Sequence, residues 1–346
     1  MKASYQQYGL QFKRPSGTSR GILTTKETWF ILLDNGSRWG LGECGLLRGL
    51  SVDDLPHYEA KLSWVCENIG LGLPELYAQL MEFPSIQMGL EMAFRSLEAD
   101  NPFHLFPSAF TLGTQPISIN GLIWMGAVFF MKEQIREKLD AGFRCLKMKI
   151  GALDFDTEYA LLQTIRKEYS SKDLELRVDA NGAFSPSEAM EKLKRLSELE
   201  LHSIEQPIKA GQWDTMASLC ERTPLPIALD EELIGVFDGR TKARLLQHIQ
   251  PQYLILKPSF VGGFQGSDEW IQLAEKQGTG WWVTSALESN VGLNAISQYT
   301  FTKSSKLPQG LGTGSLFANN VPSPLEVRGQ HLWYNPDLQW DVTNLF

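Results

Sequence analysis

Four cysteines in 346 residues, at positions 44, 66, 145 and 220, show no C-x-x-C spacing, so zinc, dithiol and disulfide roles are not expected of them. Long apolar runs are missing as well. The longest strongly apolar stretch, Gly121 to Met131, falls far short of the roughly 18 residues of a membrane span. The first seven residues lack an apolar h-region, so no secretory signal is expected and the cytoplasm is the default. Nor is there an excess of basic charge. Lys and Arg number 32 against 40 Asp and Glu, a net charge of −8, which supplies no footprint for nucleic acid or an anionic membrane. The five histidines show no H-x-H or H-E-x-x-H pattern, which argues against a histidine metal site. No Gly-x-Gly-x-x-Gly opens a helix after a first strand; the Gly310–Gly314 stretch comes nearest, but it lies near the end of the chain, so a dinucleotide fold is not expected. What is present is an ordinary globular composition, 43% hydrophobic and 21% charged, long enough for two domains and suited to a small-molecule partner.

Two textures divide the chain, with breakers clustered between Asp100 and Pro116. Before them, Trp29–Leu33, the turn Asp34-Asn35-Gly36 and Ser37–Glu43 read as a hairpin. Helical periodicity follows over 52–69 and 85–99, giving an α+β unit with strands first. After Gln115, eight short apolar runs alternate with amphipathic segments: 117–123, 145–150, 175–179, 202–205, 226–230, 253–257, 280–285 and a weak one at 311–313. Ser185-Pro186-Ser187-Glu188 reads as a helix start of the capping-box kind. Eight strand–helix units in about 200 residues fit a (β/α)8-type barrel better than an open sheet. The expected division is a cap over 1–112, a barrel over 113–318 and a tail over 319–346 that returns to pack on the cap.

Charged residues stand at the C-terminal ends of five consecutive runs: Lys149, Asp179, Glu205, Asp230 and Lys257, separated by 30, 26, 25 and 27 residues, about one βα unit each. In a barrel such strand ends converge at one mouth. Any one of them alone would read as a solvated loop charge; five in register do not. Three converging carboxylates repel one another unless a cation lies among them, and oxygen ligands of this kind suit Mg²⁺, with Mn²⁺ as a substitute. Flanking lysines add the means to take a proton from carbon beside a carboxylate: one as an amine base, the other as an ammonium that stabilises the enediolate. Lys147 shares a strand face with Lys149 and, with the ion, is expected to lower its pKa, which makes Lys149 the base.

Leu146-Lys147-Met148-Lys149 resembles the K-x-K motif of the muconate-lactonizing subgroup of the enolase superfamily. Val178-Asp179-Ala180-Asn181-Gly182, Ile204-Glu205-Gln206-Pro207, Ala228-Leu229-Asp230-Glu231 and Leu256-Lys257-Pro258 resemble its three metal-ligand segments and its second lysine. The resemblance implies a (β/α)7β TIM-like barrel with an α+β capping domain built from both termini. It further implies catalytic Lys149 and Lys257 and metal ligands Asp179, Glu205 and Asp230. Lys147, Asn181, Glu231, Ser285 and Gly312 would bind substrate or orient ligands. Segments 119–124, 285–289 and 310–317 resemble dehydratases of a succinyl-bearing cyclohexadiene carboxylate, whereas dipeptide epimerases of the subgroup carry Asp-x-Asp where this chain has Gly312-Thr313-Gly314. A racemase or epimerase using the same two lysines is the alternative reading. A catalytically dead carboxylate-binding relative is the third, although no lysine or ligand is lost. Loops at 16–20 and 45–49 would close over the mouth, with Arg20 or Arg48 as anion contacts.

Overall fold

A computed structural model describes residues 1–18, 21–343 and 345. The first unit is an antiparallel meander of β1 (Lys2–Thr18), β2 (Gly21–Asp34) and β3 (Trp39–Cys44). The expected hairpin is there: Trp29 pairs with Cys44 and Asp34 with Trp39, and the Asp34 carboxylate accepts the Gly36 N–H in the turn. β1 had no counterpart in the sequence patterns, because its glutamines and lysines interrupt apolar alternation. It is a strand because β2 supplies a ladder along its length. Helices α1 (Tyr58–Glu67), α2 (Leu73–Ala78) and α3 (Pro84–Glu98) follow, α1 shorter than the periodicity suggested. α3 packs directly on β3, burying Ile86, Leu90 and Ala93 against Trp29, Ile31 and Cys44. Gly42 permits this approach, since a Cβ there would lie 1.8 Å from the Gly89 carbonyl oxygen.

The barrel begins after β4 (Ile117–Ser118) with β5 (Gly121–Ile123), α4 (Val128–Asp140), β6 (Cys145–Lys149) and α5 (Phe155–Glu168). It continues through β7 (Glu175–Asp179), α6 (Pro186–Ser197), β8 (Ser203–Glu205), α7 (Trp213–Arg222), β9 (Ile227–Leu229) and α8 (Gly239–Ile249). The last units are β10 (Tyr253–Leu256), α9 (Pro258–Val261), α10 (Gly263–Gln277), β11 (Gly280–Val283) and α11 (Asn290–Thr302). Strands β5 to β11 lie side by side in chain order as one parallel sheet, covered by the helices. At the start of α6 the Ser185 hydroxyl bonds the Glu188 carboxylate rather than a backbone N–H, so only part of the expected capping box forms.

Two expected runs behave differently from their sequence pattern. The run at 117–123 divides: β4 turns away, and only Gly121–Ile123 joins the barrel. The run at 311–313 is not a regular strand. Instead Gln309 and Gly310 bridge the sheet edges, pairing with Ile119 on one side and Thr284 on the other, and the Gln309 side chain accepts the Val283 N–H. Glycines at 310, 312 and 314 leave too little side chain to hold a strand, so isolated bridges curl the sheet shut. The tail forms β12 (Leu325–Arg328) and β13 (His331–Tyr334), which pairs antiparallel with β4. Beyond it, Trp340 stacks on Phe103 with ring centroids 4.3 Å apart. Among the described residues, no helix is long and apolar enough to cross a membrane.

Candidate active site

Strand register builds the site. Lys149, Asp179 and Glu205 are direct partners across β6, β7 and β8, and Asp230 and Lys257 each follow the last residue of the next two strands. Side chains at successive strand ends therefore meet at one mouth, as the spacing implied. Lys147 lies two residues before Lys149 and points to the same interior face. Its ammonium is 3.0 Å from Asp179 Oδ2 and donates to Glu205 Oε2. Lys149 Nζ donates to Asp179 Oδ2 at 2.9 Å and to Asn181 Oδ1 at 2.8 Å, while Lys257 Nζ donates to Asp230 Oδ2.

The charges are balanced by burial against pairing. Burial pulls the Lys147 pKa down, but Asp179, Glu205 and Asp230 outweigh it and hold the pKa above the ordinary lysine value. The same contest leaves Lys257 raised, with Asp230 the leading carboxylate. Burial opposes ionisation of Asp179, yet the three lysines keep its carboxyl well below the usual range. Glu205 goes the other way: burial and the neighbouring Asp179 charge push it up despite Lys147. So Lys147 is the ion-pair partner of Asp179 and Glu205.

The donor set fits a hard cation. Three carboxylates stand at the ends of adjacent strands, Glu205 Oε1 is buried without a hydrogen-bond partner, and burial followed by the Asp179 charge raises Glu205. In this conformation the lysines occupy Asp179 Oδ2, Glu205 Oε2 and Asp230 Oδ2, Asp179 Oδ1 accepts the Asn181 N–H, and among the described residues no three acidic, histidine or cysteine side chains are gathered as a ready cage.

Asn181 occupies a left-handed conformation, φ 44°, which its short amide tolerates. It accepts from Lys149 and donates to Glu231 Oε1 at 2.9 Å, tying Lys149 to the residue after Asp230. Burial and the Asp230 charge raise the Glu231 carboxyl. Gln206 escaped the sequence reading except as part of a motif. Its side-chain oxygen accepts the N–H groups of Asp230 and Glu232, and its amide nitrogen donates to Glu232, so it fixes the loop that carries Asp230. A buried glutamine directly after a strand-end carboxylate was the available signal.

A cavity of about 540 Å³ opens above the lysines. Lys147, Lys149, Asp179, Asn181, Lys257, Ser285 and Gly312 line it; Glu205, Asp230 and Glu231 lie behind. Thr313, not singled out from sequence, also lines it and shares a 2.6 Å hydrogen bond with Ser285. Leu23 and Leu47 from the cap and Leu122 and Trp124 from the barrel make one wall apolar. Arg48 is at the rim but is not available as an anion contact: it donates to Glu27 and to Asp54, each at 2.7 Å, because two cap carboxylates neutralise it first. Arg20 lies outside the described residues. The cysteines form no disulfide, with Cys44, Cys145 and Cys220 buried.

Comparison with known proteins gives consistent matches. The family described as Enolase C-terminal domain-like matches residues 130–335. An o-succinylbenzoate synthase of Desulfotalea psychrophila (strain LSv54 / DSM 12343) is 47% identical over 95% of this chain and 98% of its own length. The crystal structure of MenC from Desulfotalea psychrophila LSv54 superposes with a TM-score of 0.86 at 44% identity, covering 96% of this chain and 99% of that one. A muconate lactonizing enzyme from Pseudomonas fluorescens, in complex with muconolactone, shares the fold at a TM-score of 0.83 and 20% identity, over 99% of this chain and 97% of its own.

Proposed function

Because the chain belongs to the Enolase C-terminal domain-like family, we propose that it is an enzyme catalysing the o-succinylbenzoate synthase reaction, a carbon–oxygen lyase reaction in menaquinone biosynthesis, in the cytoplasm. The substrate in this reading is 2-succinyl-6-hydroxy-2,4-cyclohexadiene-1-carboxylate, which loses water to become o-succinylbenzoate. The carrying observation is one cavity that presents Lys149 and Lys257 from β6 and the end of β10, on either side of three carboxylates.

Asp179, Glu205 and Asp230 would hold Mg²⁺, or Mn²⁺ in its place. When bound, the ion supplies electrostatic stabilisation of the charge that builds on the substrate carboxylate. Lys149, as an amine, takes the α-proton, and the C–H electrons pass into an enediolate. Lys257, kept cationic by Asp230 and its neighbours, stabilises that charge. The enediolate collapses with loss of hydroxide, which Lys149 protonates on the same face to give water and the aromatic ring. Lys147 holds Asp179 and Glu205 in place, and Asn181 and Glu231 orient the base segment. Ser285 and Gly312 meet the substrate carboxylates, where the cavity offers no carboxylate at 312–314 to attract an ammonium. Residues 1–112 form the cap, 113–318 the barrel and 319–346 the tail.

The test is incubation with Mg²⁺ and the cyclohexadiene substrate, run beside N-acylamino acids in D₂O. Dehydration is expected. Deuterium entry at the α-carbon of an N-acylamino acid with no dehydration would replace this reading by the racemase one.

A further inference from the structure

Lys26, on β2, is 4% exposed, and its Nζ is buried without a hydrogen-bond partner. An ammonium in that state is costly unless charge compensates it. Its compensation comes from both domains. Lys26 shares a face of β2 with Thr28, whose hydroxyl donates to Glu43 of β3, and a Cβ on Gly292 would lie within 3.0 Å of both Glu43 and Glu288 of the loop after β11, so the two carboxylates adjoin; burial pulls the Lys26 pKa down and these two charges oppose it. Neither carboxylate is idle. Glu43 accepts from Thr28 Oγ1 at 2.8 Å, from Ser289 N at 2.8 Å, from Ser289 Oγ at 2.5 Å and from Gly292 N at 2.8 Å. A cap residue thus ties down the first turn of α11, where the helix dipole favours an anion. Glu288 accepts from Ala286 N at 2.7 Å and from Ser259 Oγ at 2.6 Å, two residues beyond Lys257. Gly45 and Gly292 leave room for nothing else: a Cβ on either would come within 3.0 Å of Glu288 side-chain atoms.

The loop so held is part of the cavity. Ser285, Ala286 and Leu287 line it, and Leu287 sits at φ 64°, a left-handed backbone that a branched-chain residue adopts only under constraint from its surroundings. We propose that Lys26, through Glu43 and Glu288, is a positioning residue contributed by the cap, which holds loop 285–289 in its substrate-binding conformation. Without the ammonium, two buried carboxylates face each other across the domain boundary, and a shift of Ala286 and Ser289 would relieve their repulsion. The inference rests on the proposed reaction for its assay substrate alone.

The experiment is steady-state kinetics of Lys26→Met, of Lys26→Met with Glu288→Gln, and of Ser289→Ala, with melting curves for each. Lys26→Met is expected to raise KM about tenfold while kcat changes less than about threefold, since the loop binds substrate and does not move the proton. Neutralising one carboxylate in the double variant is expected to restore KM to within about threefold of the parent, a recovery that mere packing damage would not show. Unchanged KM in folded Lys26→Met, with or without a lower melting temperature, overturns the proposal, as does a double variant that stays impaired. Should Lys26→Met fail to fold, Ser289→Ala decides: it removes one Glu43 bond, and an unchanged KM there refutes the positioning role. Failure of the unaltered enzyme to dehydrate the cyclohexadiene would instead count against the proposed reaction, a distinct result.

Discussion

Replacing Lys147 with methionine keeps most of the side-chain volume and removes the one ammonium that touches both Asp179 and Glu205. Those two carboxylate side chains are 1% and 2% exposed, so water cannot take over the role of the lost cation. Breaking a buried ion pair from one side costs about 3–5 kcal/mol. At roughly 2.1 cal/mol/K of unfolding entropy per residue, a chain of 346 residues loses about 4–7 °C of melting temperature for that cost. Glu205 is already pushed above the usual carboxylate range, so protonating it relieves part of the repulsion at low pH. The loss should therefore deepen as pH rises. Added Mg²⁺ should return more stability to the variant than to the parent, about 2.7 kcal/mol from binding alone at a hundredfold excess over Kd and more where it separates the two charges. Scanning calorimetry of parent and variant, with EDTA and with Mg²⁺, measures all of this. A variant as stable as the parent in EDTA, or equal Mg²⁺ gains in both, would refute the account of Lys147 as the cation that holds these carboxylates together.

Lys149→Ala and Lys257→Ala should each abolish dehydration while leaving Mg²⁺ binding measurable by calorimetry; near-normal turnover in Lys257→Ala would remove the enediolate-stabilising role. Glu91 of α3 accepts the Phe264 and Gln265 N–H groups at the start of α10, and burial pushes its carboxyl up to about 7 from an ordinary 4.5. Its contribution to stability is thus complete below about pH 4.5 and is lost as pH rises to about 7, roughly 3 kcal/mol in total at ~1.4 kcal/mol per pH unit. Urea midpoints should show that slope in the parent and a flatter one in Glu91→Gln; identical slopes would refute it. Gly42→Ala forces a methyl onto the Gly89 carbonyl and should cost about 1–3 kcal/mol or more, read as a lower urea midpoint with the cap–barrel site still able to bind Mg²⁺.

Elements whose signal is local were legible in the chain. The hairpin at 28–43 rests on the turn Asp34-Asn35-Gly36 after a short apolar run, and α3 on its own periodicity. The five strand-end charges could be found because one βα unit is a nearly constant length of chain, so equal spacing translates into one mouth. β1 could not be found, since its ladder with β2 rather than its composition makes it a strand. Apolar pattern puts the closing segment at 311–313, two residues late, because bridges from Gln309 and Gly310 to Ile119 and Thr284 define it.

By itself the sequence determined the barrel and the lysine–carboxylate–lysine order at its mouth, since residue type and repeat length carry that information; the oxygen-ligated divalent ion is what that order leads one to expect. Only the tertiary structure decided which charge satisfies which. Arg48, open to a substrate anion by its place in the sequence, is paired with Glu27 and Asp54. Lys147 looked like a neighbour of Lys149 and proved to be the partner of Asp179 and Glu205. Glu43 meets Ser289 across 246 residues of chain. Coulomb energy and desolvation depend on distance and burial in three dimensions, and neither is written in the separation of two residues along a chain.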